Sequence, residues 1–337
     1  MVSSNADMTL QDPKLPRLAG ALDDAKMTAV LSRGVSAALA DKGITSVHHR
    51  ILKHTIGKRC VIQYSLNSTE HPAGVVQVIG KLYRKNRGEK IFENMMTLWS
   101  VANAQNPPFK MPEPFSYLSE PGMVVQQFVA GRPLADLVGK KGFASGVKLV
   151  AQNMAQLHGL RLPGLEVKTM SDHIKKYCRP GPEVLMSVQP EIIPLMQDIL
   201  AYILDDKRLQ DQPLCPVHGD LGFKQILMND DRAFFVDFDG LGQSHAALDV
   251  AHFLVALEVY LGHDVNDLAG LFLETYRQNG GTEVLATLNI YKAFAYLRRA
   301  MICFRAGSGS ECRRRVRRLL ERAHETNEKN RMEATKA

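Results

Sequence analysis

The sequence predicts an α+β fold of two lobes, a small β-rich N-terminal lobe and a larger, mainly helical C-terminal one. Three observations support this. Between about residues 46 and 130, β-branched and aromatic segments separated by turn residues dominate, with one amphipathic helix among them. Beyond residue 131, apolar residues recur at helical spacing almost to the end of the chain. The 337 residues, 45% of them hydrophobic, supply one large domain or two lobes sharing a cleft. The expected divisions are a helical extension over 1–45, a first lobe over 46–130 and a second over 131–330.

Residues 1 to about 20 read as irregular. Met27, Val30, Leu31, Val35 and Leu39 then recur near helical spacing, giving one or two helices over 22–39. HHRILKHTIGKRCVIQYSL reads as two strands turning at Gly57, and VVQVIGKLYR, 75–84, as a third. GEKIFENMMTLWSVA is an amphipathic helix, followed by short strands near 115–118 and 123–129. In the second lobe, helices are expected over 144–160, 182–205, 246–275, 284–303 and about 310–326. Strand-like pieces at 226–228 and 233–239 interrupt them, and EKNRMEATKA reads as a frayed tail.

Composition narrows the function classes. No apolar run approaches the roughly 18 residues of a membrane span, and MVSSNADMTLQDPKLPRLAG lacks the basic start and apolar block of a secretory signal. The five cysteines, Cys60, Cys178, Cys215, Cys303 and Cys312, are odd in number and show no CxxC or Cys/His ligand spacing. Reduced thiols and a cytoplasmic location are the expectation. The net charge of +7 owes much to Arg313, Arg314, Arg315, Arg317 and Arg318, which read as a solvated helix face. No aromatic residues or nucleic-acid-binding module accompany that run, so a nucleic-acid partner is not expected.

The densest chemical signal is VHGDLGFKQILMNDDRAFFVDFDGLGQSHAALDVAHF, 217–253. An acidic loop residue is followed five positions later by an amide, then by a strand ending in Asp-Phe-Asp. Phosphoryl transfer asks for this set. A carboxylate must orient the attacking hydroxyl, and oxygen ligands must hold Mg2+ against nucleotide phosphates. Asp220 suits the first role, and Gln225 and Asp237 the second.

The segment resembles the HGDxxxxN…DFD signature of the aminoglycoside phosphotransferases and choline-kinase-like enzymes, a branch of the protein-kinase-like fold. The resemblance covers residues 55–255. It implies a small-molecule kinase moving the γ-phosphoryl group of a Mg-nucleotide, ATP or GTP, to the hydroxyl of a sugar, amino-alcohol or related metabolite. In that frame Asp220 resembles the catalytic aspartate and Asp237 the principal metal ligand, with Asp239 assisting. His218 and Asp249 resemble residues that support the loop. Lys81 on the third strand resembles the lysine that neutralises nucleotide phosphates, with Glu93, or alternatively Glu89, as its partner. MVVQQFVAGRPL resembles the adenine-reading hinge, through Gln126, Gln127, Phe128 and Val129, and His158 resembles a core histidine of the second lobe.

Two departures stand out. Gln225 replaces the usual asparagine, which leaves open a nucleotide-binding pseudokinase or regulator with weak or no transfer activity. No Gly-rich GxGxxG is present, only Gly57-Lys58-Arg59, which argues against a protein kinase; a GxxxxGK[ST] loop is absent as well. Between 286 and 320 the only acidic residue is Glu311, while arginines are frequent, Arg299 and Arg305 among them. That charge disfavours a polycationic acceptor and favours a neutral or anionic one.

Overall fold

In a computed structural model of the chain, residues 11–39, 43–69, 75–104, 109–210, 212–229, 231–262, 265–281 and 283–334 are described. The contacts divide it into two compact units. One comprises the chain up to Ala104 and Met111–Ala130, and the other Gln105–Lys110 and the chain from Gly131 onward.

The first unit opens with helices α1 (Leu18–Ala21) and α2 (Asp24–Leu39). Strands β1 (Ile44–Thr55), β2 (Arg59–Ser68) and β3 (Val76–Tyr83) follow, then helix α3 (Arg87–Asn103) and strands β4 (Pro114–Leu118) and β5 (Met123–Gln127). The five strands form one antiparallel sheet in the order β1-β2-β3-β5-β4. Gly57, at φ +68°, makes the β1–β2 turn. Helix α2 buries Met27, Val30, Leu31 and Val35, a helical stripe that joins Val47, Ile62 and Tyr64 of the sheet in one core. The Tyr64 hydroxyl donates to the Ala21 carbonyl at 2.6 Å, fixing helix to sheet. The N-terminal helices expected as an extension are therefore part of this unit's core. Helix α3 buries Ile91, Met95, Leu98 and Ala102.

The second unit begins with β6 (Arg132–Pro133) and helices α4 (Phe143–Gly159), α5 (Met170–Tyr177), α6 (Pro182–Val188) and α7 (Ile193–Asp205). Strands β7 (Cys215–Val217), β8 (Ile226–Asn229), β9 (Arg232–Phe235) and β10 (Gly242–Ser244) come next. Helices α8 (Ala247–Leu261), α9 (Asn266–Gln278), α10 (Leu285–Ala306) and α11 (Ser310–Ala334) complete it. Strands β6, β8 and β9 form one small antiparallel sheet, and β7 pairs with β10 in another. Helix α8 is buried continuously from Ala247 to Leu257, apolar all round except for Asp249 and His252. No helix among the described residues is long and apolar enough to cross a membrane.

Several expectations change. The helix over 182–205 is two, parted at Gln189–Pro190, where a proline cannot continue the ladder. The stretch 246–275 breaks after Leu261 at Gly262, which takes φ +71°. Strand β9 stops at Phe235, and Phe238–Gly240 is a single 3-10 turn rather than the end of a strand. The tail stays helical to Ala334. Residues 1–10, read as irregular, lie outside the described residues. Two of the widely spaced cysteines, Cys303 and Cys312, approach to 3.9 Å between sulfurs, both as free thiols.

Candidate active site

The loop after β7 is built on Asp249. This carboxylate sits in the first turn of α8, wholly buried, where a helix N-terminus favours negative charge. Its two oxygens accept the backbone N–H groups of His218, at 2.6 Å, and Gly219, at 2.9 Å. His158 of α4 approaches the same carboxylate with Nε2 at 3.4 Å and holds the Tyr276 hydroxyl with Nδ1 at 2.7 Å. Burial opposes the Asp249 charge, but the His158 bond and the fields of His158, His218 and His252 hold its pKa down at about 2. Asp249 is thus the loop's brace, and His158 is a satisfied core histidine.

His218 continues the brace. Its Nε2 lies 3.0 Å from the Val236 carbonyl, and its Nδ1 receives the Asp220 N–H at 3.4 Å. The first contact requires a proton on Nε2 and the second a lone pair on Nδ1, which fixes the tautomer. The ring thereby ties the loop to the segment that carries Asp237.

The loop and the Asp-Phe-Asp turn touch through backbone. A Cβ on Gly219, whose φ is +77°, would lie 2.7 Å from the Gly240 oxygen. One on Gly240 would lie 2.5 Å from the His218 oxygen. Only two glycines permit this approach. Asp237 itself adopts φ +74° and ψ 55°, a left-handed conformation uncommon for a residue with a side chain and concentrated at functional sites. Carbonyls of the turn are satisfied by lysines. Lys168 Nζ donates to Gly240 O at 2.8 Å and Leu241 O at 2.6 Å, and Lys176 reaches Asp239 O at 3.4 Å. Helix α5 presents Lys176, and Lys168 lies just before its N-cap. The helix opens on a Thr169–Asp172 capping box, and residues 161–181 carried no sequence expectation.

Gln225 ends the one-turn helix Phe223–Gln225, and its carbonyl accepts the Val236 N–H at 2.9 Å. It therefore borders the segment leading to Asp237. Gln225, Asp237 and Asp239 offer hard oxygen donors. Among the described residues no cluster of three or more His, Cys, Asp or Glu forms a cage for an ion. A sparse oxygen set fits Mg2+, which keeps few protein ligands and completes its shell with phosphates and water.

Asp220 projects into a cavity of about 300 Å3 whose walls include Phe223, Tyr260, Ala295 and Ile302. Its side chain is 36% exposed and its Oδ1 is ion-paired with Arg298 of α10. The Arg298 guanidinium also stacks over the Tyr177 ring, 4.5 Å from its centroid, with Nη1 3.4 Å from His252 Nδ1. Sequence reading singled out Arg299 and Arg305 but missed Arg298. Ala295, Arg298, Arg299 and Ile302 share one face of α10, and that i, i+3, i+4, i+7 spacing is the signal that would have found it. Arg305 instead donates to the Tyr177 and Arg179 carbonyls and is no part of that lining.

In the first unit, Lys81 is only 6% exposed on the central strand β3, opposite Val61 of β2 and Val124 of β5. Glu93 does not serve as its partner. It lies exposed on α3 and pairs with Lys90 at 3.2 Å, one helical turn away. Gln127 is exposed at the end of β5, its N–H donating to Glu113 O at 2.8 Å, and Val129 is buried. Gln126 is buried, and its Oε1 meets no donor among the described residues.

A comparison with curated proteins finds no match. Among solved structures, a choline kinase from Cryptosporidium parvum Iowa II is 10% identical, with a TM-score of 0.63 over 91% of this chain and 96% of that one. A macrolide 2'-phosphotransferase, MphH, from Brachybacterium faecium is 15% identical, with a TM-score of 0.55 over 88% and 97%. The amicoumacin kinase hAmiN, in complex with AMP-PNP and Ca2+, is 12% identical, with a TM-score of 0.61 over 82% and 88%. Identities this low carry the fold alone, and that fold is protein-kinase-like. The phosphotransferase enzyme family APH matches by its family model over residues 69–300, more than half of the sequence and the whole of the braced loop and turn. The chain therefore belongs to the APH phosphotransferase enzyme family.

Proposed function

We propose that the protein is a small-molecule kinase that transfers the γ-phosphoryl group of Mg-ATP or Mg-GTP to a hydroxyl of a small metabolite. The observation that carries this reading is the contact of Gly219 with Gly240, which sets Asp220 on backbone adjoining Asp237 and Asp239. A phosphoryl transfer needs these two functions side by side, because the protein's contribution is positioning and charge stabilisation.

In this mechanism Asp220 receives the hydrogen bond, and then the proton, of the acceptor hydroxyl. The acceptor oxygen forms its bond to the γ-phosphorus as the bond to the β-phosphate oxygen breaks, and the nucleoside diphosphate leaves with that electron pair. Mg2+, held by Asp237 and Gln225 with Asp239 assisting, would neutralise charge on the phosphates. Lys81 is assigned to the nucleotide phosphates, and the hinge at Gln127 and Val129 to the base. Glu93 is dropped from the nucleotide site because of its Lys90 pairing. The AMP-PNP and Ca2+ of the amicoumacin kinase are consistent with a nucleotide and a divalent ion on this fold. The free cysteines suit a cytoplasmic setting.

The test is nucleotide turnover with purified protein, Mg-ATP or Mg-GTP and a panel of hydroxyl metabolites. Acceptor-dependent release of nucleoside diphosphate is expected, and Asp220→Ala should reduce it by at least about 10^3-fold, in line with loss of a general base. Nucleotide binding with no acceptor turned over would favour the regulator reading that Gln225 left open.

A further inference from the structure

The cavity at Asp220 has an unusual charge balance. Its lining carries three cationic side chains, Lys224, Arg298 and Arg299, and one carboxylate, Asp220. Arg298 is committed to that carboxylate. Among the described residues, Arg299 has no hydrogen bond or ion pair, although it is half-buried beside Arg298 on the same helix face. Burial and the Arg298 charge push its pKa down to about 10, the direction expected of a guanidinium short of a counter-charge. His252, buried behind Arg298, has its pKa pushed well below the usual range by burial and by the Arg298 charge. Beyond Gly222 and the polar Gln225, the remaining walls, Leu221, Phe223, Tyr260, Ala295 and Ile302, are apolar or aromatic, with Phe223 and Tyr260 stacked at 5.0 Å.

We infer that the acceptor carries an anionic oxygen group, a carboxylate or a phosphate, which Arg299 binds while the acceptor's hydroxyl lies at Asp220. The inference rests on the kinase reading for the role of the hydroxyl, but not for the anion site. A cation pair beside a small apolar wall takes a short carbon skeleton with one charged end, because guanidinium groups recognise carboxylate and phosphate through paired N–H donors. It rejects an amine or a quaternary ammonium, which would meet Arg299 and Lys224 as like charges. The Arg298–Asp220 pair gains a purpose as well. An arriving anion competes with Asp220 for Arg298, so the carboxylate is released to its hydroxyl when the acceptor is in place.

The experiment is calorimetric titration of the full chain, without nucleotide, with inorganic phosphate, D-glycerate, D-gluconate and D-glucose 6-phosphate. Glycerol, D-glucose, glucosamine and choline are the matched neutral and cationic compounds. Saturable binding of an anionic compound is expected, at least about tenfold tighter than its neutral parent, with Arg299→Gln weakening it about tenfold or more. Arg299→Lys, which keeps the charge, should recover most of the affinity and guard against misfolding of the first variant. Binding that Arg299→Gln leaves unchanged, preference for neutral or amine compounds, or no saturable anion binding would each overturn the inference. Turnover with Mg-ATP or Mg-GTP then separates the two readings. Anion binding through Arg299 without any turnover removes the kinase and leaves the anion site. Turnover of a neutral or amine acceptor removes the anion site and leaves the kinase. In the active case Arg299→Gln should raise the acceptor KM about tenfold with the nucleotide KM within twofold. The reverse pattern would assign Arg299 to the nucleotide and overturn the inference.

Discussion

The catalytic loop of the second unit and the lysine strand of the first reach order by different means. The loop is held by buried polar groups that check one another: Asp249 on two backbone N–H groups, His158 on Asp249, and His218 between loop and turn. Lys81 is held by its strand, in register with Val61 and Val124, while Glu93 is bound up with Lys90. A buried network fixes side-chain positions, because each unmet partner costs a desolvation penalty. A strand register fixes only the backbone from which the lysine projects. The first region should therefore fail by unfolding, the second by loss of ligand affinity.

The largest effect that would break this contrast is at Asp249. Asp249→Ala leaves two buried N–H groups and His158 without their acceptor, and a stability loss of about 3–5 kcal/mol in denaturant melts is expected, with activity lost alongside. A loss under about 1 kcal/mol would mean the brace is ornamental.

Next in size is His173 of α5, buried with Nε2 3.1 Å from the Ser244 hydroxyl, which tests a second buried polar contact through pH. Burial, with Lys168 and Lys176 nearby, pushes its pKa down to about 4, against Asp249, which pulls the other way. The folded state thus binds its proton less readily than the unfolded chain, so stability rises from pH 4 to about 6.5 and is lost as pH falls through that window. The span is worth roughly 3 kcal/mol at the 1.36 kcal/mol per pH unit of linkage. In urea melts at pH 4.5 and 7, His173→Gln should narrow the difference, and an unchanged difference would place the pH dependence elsewhere.

In the first unit, Lys81→Met should raise the nucleotide KM about 10- to 100-fold with little change in melting, whereas Glu93→Ala should alter it less than about twofold. Equal effects from the two variants would restore the pairing that the sequence suggested. The smallest change expected is from Gln225→Asn, which shortens the amide arm by one methylene. It should shift the Mg2+ concentration for half-maximal rate a few-fold, and no shift would remove residue 225 from the metal set.

The same contrast explains what was legible in advance. Residues 217–249 were readable because their chemistry lies in local spacing: a loop, an amide five residues on, a strand, a helix start. The stripes of α2 and α3 were readable because apolar period alone places them. Glu93 was misread because a charge on an exposed helix face has several partners in reach, and sequence does not choose among them. Arg298 was missed because its partner is 78 residues away. Lys168 and Lys176 meet carbonyls 63 to 73 residues later, and helix α5, which carries only the second, is short, so no periodicity marks them.

The glycine-to-glycine crossing at 219 and 240 has a consequence for changing what this protein acts on. With no room for a methyl group on either side, the loop and the turn are riveted together, and any side chain introduced there would pry Asp220 away from Asp237. Those two carboxylates cannot be respaced to suit a new molecule. Redesign of selectivity has to be written on α10, at 295, 298, 299 and 302, where side chains line the cavity and the reacting groups stay where the backbone has fastened them.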